Sequence, residues 1–274
     1  MTSAYLGAIK GGYFIALTTH CPTPLFLPLT LSRVWETGQT ADVIVRRLKA
    51  AADGGGGFCE DAAGRPYFLR RIDDLHEGQR IQIEIMAEAR GTKPALAQIY
   101  QGAPRPLALG HTLCRLGHTG PIEIADLGIL KQLRAAFPND QFIHGPTNQV
   151  LEDRAADCLD ICDMAQGQVR LIFESTQTAH HIDIDGQGSA RDINKTACEL
   201  AAELILMRNL GGLIFMDFLA LPSKAERRDM ATALSDKLRA QPHQVKIHAM
   251  NESGHLIVER QRLGPEFLET YFDN

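Results

Sequence analysis

The chain has no window approaching ~18 uninterrupted apolar residues, so a transmembrane helix is not expected. Its start, "MTSAYLGAIKGGYF", has no basic segment leading into a long apolar run, which argues against a secretory leader. We therefore expect a cytoplasmic protein. No C-x-x-C pair occurs among the six cysteines (Cys21, Cys59, Cys114, Cys158, Cys162, Cys198), which removes both a zinc ribbon and a disulfide framework. These cysteines read as buried thiols, with Cys158 and Cys162 on one helical face. The chain lacks a positive excess: 28 Lys and Arg stand against 33 Asp and Glu, a net charge of −5. That excludes a protein that coats nucleic acid through bulk charge, though not a local basic groove. "DGGGG" (Asp53 to Gly57) is followed by neither G-K-[ST] nor a helix pattern, so it reads as a tight turn or a flexible tip, and a phosphate loop is not expected. His180, His181, His248 and His255 show no H-x-x-x-H spacing, so they read as surface or supporting histidines and not as a zinc set.

With 274 residues, 45% of them hydrophobic, the chain can bury one large or two modest cores without disulfides. Its first part reads as β. "AYLGAIKGGYFIALTTH" is a hairpin pattern around Gly11 and Gly12. After the Pro-rich "CPTPLFLPLTL", about five short strands in "ADVIVRRLKAA", "GFCEDAAGRPYFL" and "QRIQIEIMAEARGTKPALAQIYQ" suit a small barrel. "QGAPRPLALG" looks like a connector. Helical periodicity follows in "IEIADLGILKQLRAAF" and, after a turn at Pro146, in "NQVLEDRAADCLDICDM". The remainder alternates: strands "QVRLIFES" and "AHHIDI", a helix from Asp192 to Arg208, strand "GGLIFMDFLAL", a helix from Lys224 to Ala240, then strands "QVKIHAM" and "HLIVERQRL". Ser223 and Glu226 are spaced as a capping box for the second helix. The expected architecture is mixed α+β and α/β. It comprises an N-terminal β segment (1–40) against the core, a small β-barrel (41–101), a helical connecting region (102–167) and a C-terminal α/β part (168–274).

Two carboxylates stand out. Period-two alternation in "HHIDID" puts His181, Asp183 and Asp185 on one strand face, and the apolar run "LIFMDFLAL" is broken only by Asp217. A right-handed crossover would make these strands parallel and adjacent, bringing Asp183 towards Asp217. Two carboxylates there resist joint ionisation unless a cation lies between them, and oxygen ligands suit Mg²⁺ or Mn²⁺. The competing reading is structural: an acid at a strand end can cap a helix or pair with Arg208 or Lys246. A calcium loop starting at Asp183 fails, because its twelfth position is Asn194 and not a bidentate Glu. The compact clusters "VRRLK" (Arg46, Arg47, Lys49), "LRR" (Arg70, Arg71), "ARGTK" (Arg90, Lys93) and "AERR" (Arg227, Arg228) each read alone as a solvated face.

"HHIDID", "KTACELAAE" and "RNLGGLIFMDF" at these spacings resemble the catalytic signature of the ribonuclease E/G family, and "HLIVERQRLG" resembles the strand that follows it there. "GFCEDAAGRPYFL", "EGQRIQIE" and "ARGTKPAL" resemble the family's RNA-binding OB module. The resemblance implies a Mg²⁺-dependent (or Mn²⁺-dependent) endoribonuclease acting on single-stranded RNA. It implies Asp183 and Asp217 as metal ligands, Asp185 where the family has a catalytic asparagine, and Lys246 at a basic phosphate-facing position. It also implies Phe58, Phe68 and Lys93 as residues that hold the RNA by stacking and charge. The family's motif for sensing a 5′-monophosphate has no counterpart, so gating by the RNA 5′ end is not expected. Nor is a zinc-linked homo-oligomer, since the family's linking cysteine pair has no match. The competing implication is a non-catalytic RNA-binding protein of the same fold, acting in ribosome or RNA-processing assemblies. Hydrolysis of a smaller phosphodiester stands third.

Overall fold

The computed structural model describes residues 3–9, 12–18, 23–29, 35–49, 55–90, 92–105, 108–159, 163–176 and 178–267. The N-terminal hairpin pairs β1 (Ser3–Ile9) with β2 (Gly12–Thr18) in antiparallel register, and β3 (Leu25–Leu29) adds to β2. Pro28 sits within β3, which is tolerated because β3 is the edge strand and proline has no amide to offer a further neighbour. Its carbonyl instead accepts the indole N–H of the buried Trp35 at 2.7 Å.

The chain then forms β4 (Thr40–Leu48), β5 (Gly57–Glu60), β6 (Pro66–Leu69), β7 (Arg80–Ala87) and β8 (Ala95–Ile99), which close as a barrel in the order β4-β5-β6-β8-β7. Five short strands with β6 parallel to β8 and β4 closing on β7 make an OB-type barrel. The period-two pattern decides its interior. Val43, Cys59, Tyr67, Leu69, Ile83, Ile85, Ala95 and Ala97 point inward as one buried cluster.

The next segment is less helical than its periodicity suggests. It gives α1 (Leu109–Arg115), β9 (Ile122–Ile124), α2 (Leu127–Ala136), β10 (Phe142–His144) and α3 (Gln149–Leu159). The pattern "IEIADLGILKQLRAAF" thus splits. Its "IEI" is a strand parallel to β1, and the helix starts only where the Asp126 carboxylate accepts the Ile129 amide at 2.9 Å. With β10, these strands return to the N-terminal hairpin and complete a sheet ordered β10-β9-β1-β2-β3. The "QGAPRPLALG" connector likewise runs into the first residues of α1. Cys158 is the penultimate residue of α3, and Cys162 and Cys21 lie outside the described residues. Of the described cysteines, Cys59, Cys158 and Cys198 are buried as expected, but Cys114 is exposed.

The C-terminal part is a six-stranded sheet ordered β11-β12-β13-β14-β16-β15. Its elements are β11 (Asp163–Gln166), β12 (Val169–Ser175), β13 (Ala179–Gly186), α4 (Ala190–Met207), β14 (Gly212–Asp217), α5 (Lys224–Leu238), β15 (Val245–Ile247) and β16 (His255–Arg260). The expected β-α-β crossover is present, with β13 and β14 parallel and adjacent. One sheet face carries Leu171, Phe173, Ile182, Ile184, Ile214, Met216, Leu256 and Val258 into the core under α4 and α5. The other carries the alternate residues, Asp183 among them. Ser189 caps α4 and Ser223 caps α5, each accepting the amide three residues on. Among the described residues, no helix is long and apolar enough to cross a membrane.

Candidate functional site

The register of β13 against β14 fixes the site. Cα partners run from Ala179 with Leu213 to Asp183 with Asp217, so the two acids face each other on neighbouring strands, with Cα atoms about 4.8 Å apart by sheet geometry. Asp217 is the last residue of β14 and Asp183 the last residue of β13 paired with it, on the sheet face that, among the described residues, lies opposite α4 and α5. The Asp183 carboxylate accepts the Ile184 amide at 3.0 Å. On the other side of β14, Asp217 pairs in register with His255, whose Nε2 lies 3.4 Å from Asp217 Oδ1.

Asp217 is not the desolvated acid that its apolar run suggests. It is the last residue of β14 and its side chain is 57% exposed, so its charge carries no burial cost. Neither structural partner foreseen for these acids is engaged with them. Arg208 is buried, donating to the Cys158 carbonyl at 3.1 Å, and Lys246 pairs with Glu259 at 3.1 Å. The two acids are aligned in one register row, between the half-buried Ile172 on β12 and the exposed His255 on β16.

Two backbone devices hold them there. Asn194, fully buried on α4, donates to the Leu219 carbonyl at 2.7 Å and accepts the Leu219 amide at 2.9 Å. It thus clamps the chain two residues beyond Asp217. Gly254 (φ +102) lies just before His255, and a Cβ there would overlap the Phe218 carbonyl oxygen. Gly254→Ala is therefore expected to cost at least ~1–2 kcal/mol from the backbone conformation alone, read as a lowered urea midpoint. It should also weaken any activity that depends on the Asp217 strand end.

The other sequence-derived residues fall in two places. Asp185 shares the Asp183 face two residues on, but its register partner is Arg170, beyond the last pair with β14. Its Oδ1 accepts the Gly186 amide at 2.8 Å. Lys246 is not brought to the acids. It pairs with Glu259, two strands across and four residues along from His255, roughly 13 Å in the strand direction. The hydrogen bonds of His248 and Lys246 hold the Glu259 carboxyl below its ordinary range.

Phe58 and Phe68 are register partners on the barrel exterior, with ring centroids 5.3 Å apart and the Lys49 ammonium 5.2 Å over Phe58. Both rings are half-buried. Lys93 is exposed at the tip of the β7–β8 hairpin, three residues before Leu96, the partner of Phe68. The same hairpin tip reaches the C-terminal sheet, because Arg90 donates to Ser175 Oγ at 3.3 Å and to the Thr176 carbonyl at 3.2 Å.

Of the two readings for the histidines, surface or supporting, His180 takes the second. It is buried, sharing a hydrogen bond with Ser175 Oγ at 3.0 Å and donating from Nε2 to Glu266 at 3.1 Å. Glu266 also accepts the Gly211 amide at 3.0 Å and lies within 3.6 Å of Arg90 and 3.8 Å of Arg262. Burial alone would raise its carboxyl, but the His180 hydrogen bond and the surrounding charge hold it low. The "RNLGG" turn is structural too. Asn209 (φ 52) ends α4 in the left-handed region, donates to the Leu263 and Pro265 carbonyls, and accepts from His243. The Arg262 guanidinium lies against Gly212, whose φ of +88 is one that side chains rarely adopt.

Asp183 and Asp217 are exposed and supply two oxygen donors. That fits Mg²⁺ or Mn²⁺, which keep several waters and take the rest of their octahedron from a phosphate, but it does not fit a closed zinc site. Among the described residues, no group of three or more His, Cys, Asp or Glu forms an all-protein metal cage.

The model of the Ribonuclease E/G family matches residues 162–263, which contain the whole acid pair and its framing strands. Ribonuclease E of Haemophilus influenzae is 30% identical over 110 residues, covering 36% of this chain and 12% of that protein. Ribonuclease E of Escherichia coli (strain K12) is 30% identical over 109 residues, covering 36% of this chain and 10% of that protein. The chain thus spans about a tenth of the length of either relative.

Proposed function

We propose that the chain, whose residues 162–263 match the Ribonuclease E/G family model, is a metal-dependent endoribonuclease of that kind, hydrolysing single-stranded RNA. The observation that carries this reading is the register pairing of Asp183 with Asp217 on the sheet face opposite α4 and α5. Paired carboxylates there repel each other and favour a divalent cation. When bound, Mg²⁺ would activate water and stabilise charge developing on a phosphodiester. Asp183 and Asp217 hold it, and Asn194 and Gly254 keep the end of β14 in position. Asp185, one step further along the face, orients water without bridging the pair.

The barrel supplies the grip. Phe58 and Phe68 offer stacking surfaces and Lys93 a phosphate contact, so affinity arises locally despite the acidic total charge. Phe58→Ala combined with Phe68→Ala is expected to weaken single-stranded RNA binding by about tenfold or more. Lys93→Ala should lower the salt slope by about one unit, both by fluorescence anisotropy.

The direct test incubates the purified protein with single-stranded RNA and Mg²⁺ or Mn²⁺, beside a ribonuclease E control. Internal cuts that leave a 5′-phosphate and 3′-hydroxyl and stop with EDTA support the reading. Intact RNA under conditions where the control cuts would overturn it.

A further inference from the structure

The sheet face opposite α4 and α5 bears a feature that the acid pair does not use. One register row back from Asp183 and Asp217, His181 and Phe215 are Cα partners. Their rings stack with centroids 5.3 Å apart and planes 10° from parallel. His181 is exposed and Phe215 half-buried. In the same row, Phe215 is flanked on β16 by the half-buried Ile257. Single surface aromatics are ordinary. A parallel pair one row, about 6.6 Å, from two aligned carboxylates is a more specific arrangement. Around this row the face mixes the charged Glu174, Asp183, Asp185, Glu259 and Lys246 with the half-buried Ile172 and Leu213.

We propose that the His181–Phe215 stack is a seat for one nucleobase, that of a nucleotide flanking the phosphate held at Asp183 and Asp217. The inference rests on the ribonuclease reading of that acid pair. A flat base continues the stack and finds an apolar neighbour in Ile257, while its sugar-phosphate runs towards the acids. Stacking is tolerant of base identity because every base has a π-face, so the seat fixes the position of the cut strand and not its sequence. It is also distinct from Phe58 and Phe68, which hold the strand on the barrel.

The test scans a short single-stranded RNA with one abasic nucleotide at each position. Binding is measured by anisotropy with the Asp217→Asn protein, which separates binding from cutting, and KM and kcat are measured with the unsubstituted protein. His181→Ala removes an exposed ring, and Phe215→Leu keeps an apolar side chain at the half-buried position, so that folding is retained. The expected result is about a tenfold loss of affinity when one particular position is abasic, the same loss for either ring variant on intact RNA, and no further loss when the two are combined. Equal abasic penalties in the parent and ring-substituted proteins at every position would overturn the seat. If the protein binds RNA but never cuts it, the ribonuclease reading fails while this coupling still decides the seat. If single-stranded RNA is not bound at all, both fall.

Discussion

Asp217→Asn is expected to leave the protein folded and RNA-bound while cutting its cleavage rate by roughly 10³-fold, the scale of losing one electrostatic group aimed at a transition state. The substitution keeps shape and removes charge. Because the side chain is 57% exposed and its neighbour in contact is an exposed histidine 3.4 Å away, its loss should not move the unfolding midpoint measurably. Asp183→Asn should behave alike, and the double variant should be little worse than either, since two ligands of one ion act as a unit. Initial rates on a single-site RNA, set beside thermal melts and anisotropy, give the answer. A residual rate within tenfold of the parent would remove Asp217 from the reaction. A large fall in the midpoint would return it to a structural role.

Where the sequence was legible, one periodicity or one chirality rule decided the outcome. Alternation put Asp183 and Asp185 outward and Ile182 and Ile184 inward, and the right-handed crossover set β13 beside β14. The barrel followed from five short strands and their turns. β9 and β10 were not legible, because three residues complete barely one alternation and the pattern merges with the helix that Asp126 starts. Nor was β11 (Asp163–Gln166) foreseen, since its first two residues were read as the end of the helical pattern "NQVLEDRAADCLDICDM". The exposure of Asp217 depended on where β14 ends, and the last residue of an apolar run looks the same in sequence as an interior one. Side chains that act through distant partners were hidden altogether. Asn194 reaches the backbone of Leu219, 25 positions away, and His180 reaches Glu266, 86 away. The stack of His181 on Phe215 likewise exists only once the register is known.

Glu266→Ala is the substitution expected to cost most stability, about 3–5 kcal/mol, the usual penalty for removing one partner of a buried charge pair. The carboxylate is 4% exposed and gathers His180, the Gly211 amide, Arg90 and Arg262. Without it, these buried groups lose their common acceptor, and the link from the barrel hairpin through Arg90 to the base of β13 and β14 loosens. For a chain of this size, the thermal midpoint should fall by about 10 °C. The pH dependence carries the signature. The Glu266 carboxyl is held below its ordinary range in the folded protein. Its contribution is therefore full above the unfolded value of about 4.3 and is lost as pH falls through the lower folded value. The difference in unfolding free energy between the parent and Glu266→Gln should be constant from pH 6 to 7 and shrink below pH ~4. A difference that stayed constant down to pH 3 would show that the interactions of Glu266 do not depend on its charge. Because Gly211 leads directly into β14, this variant should also lower RNA cleavage with Asp183 and Asp217 intact, whereas Asp217→Asn lowers cleavage alone.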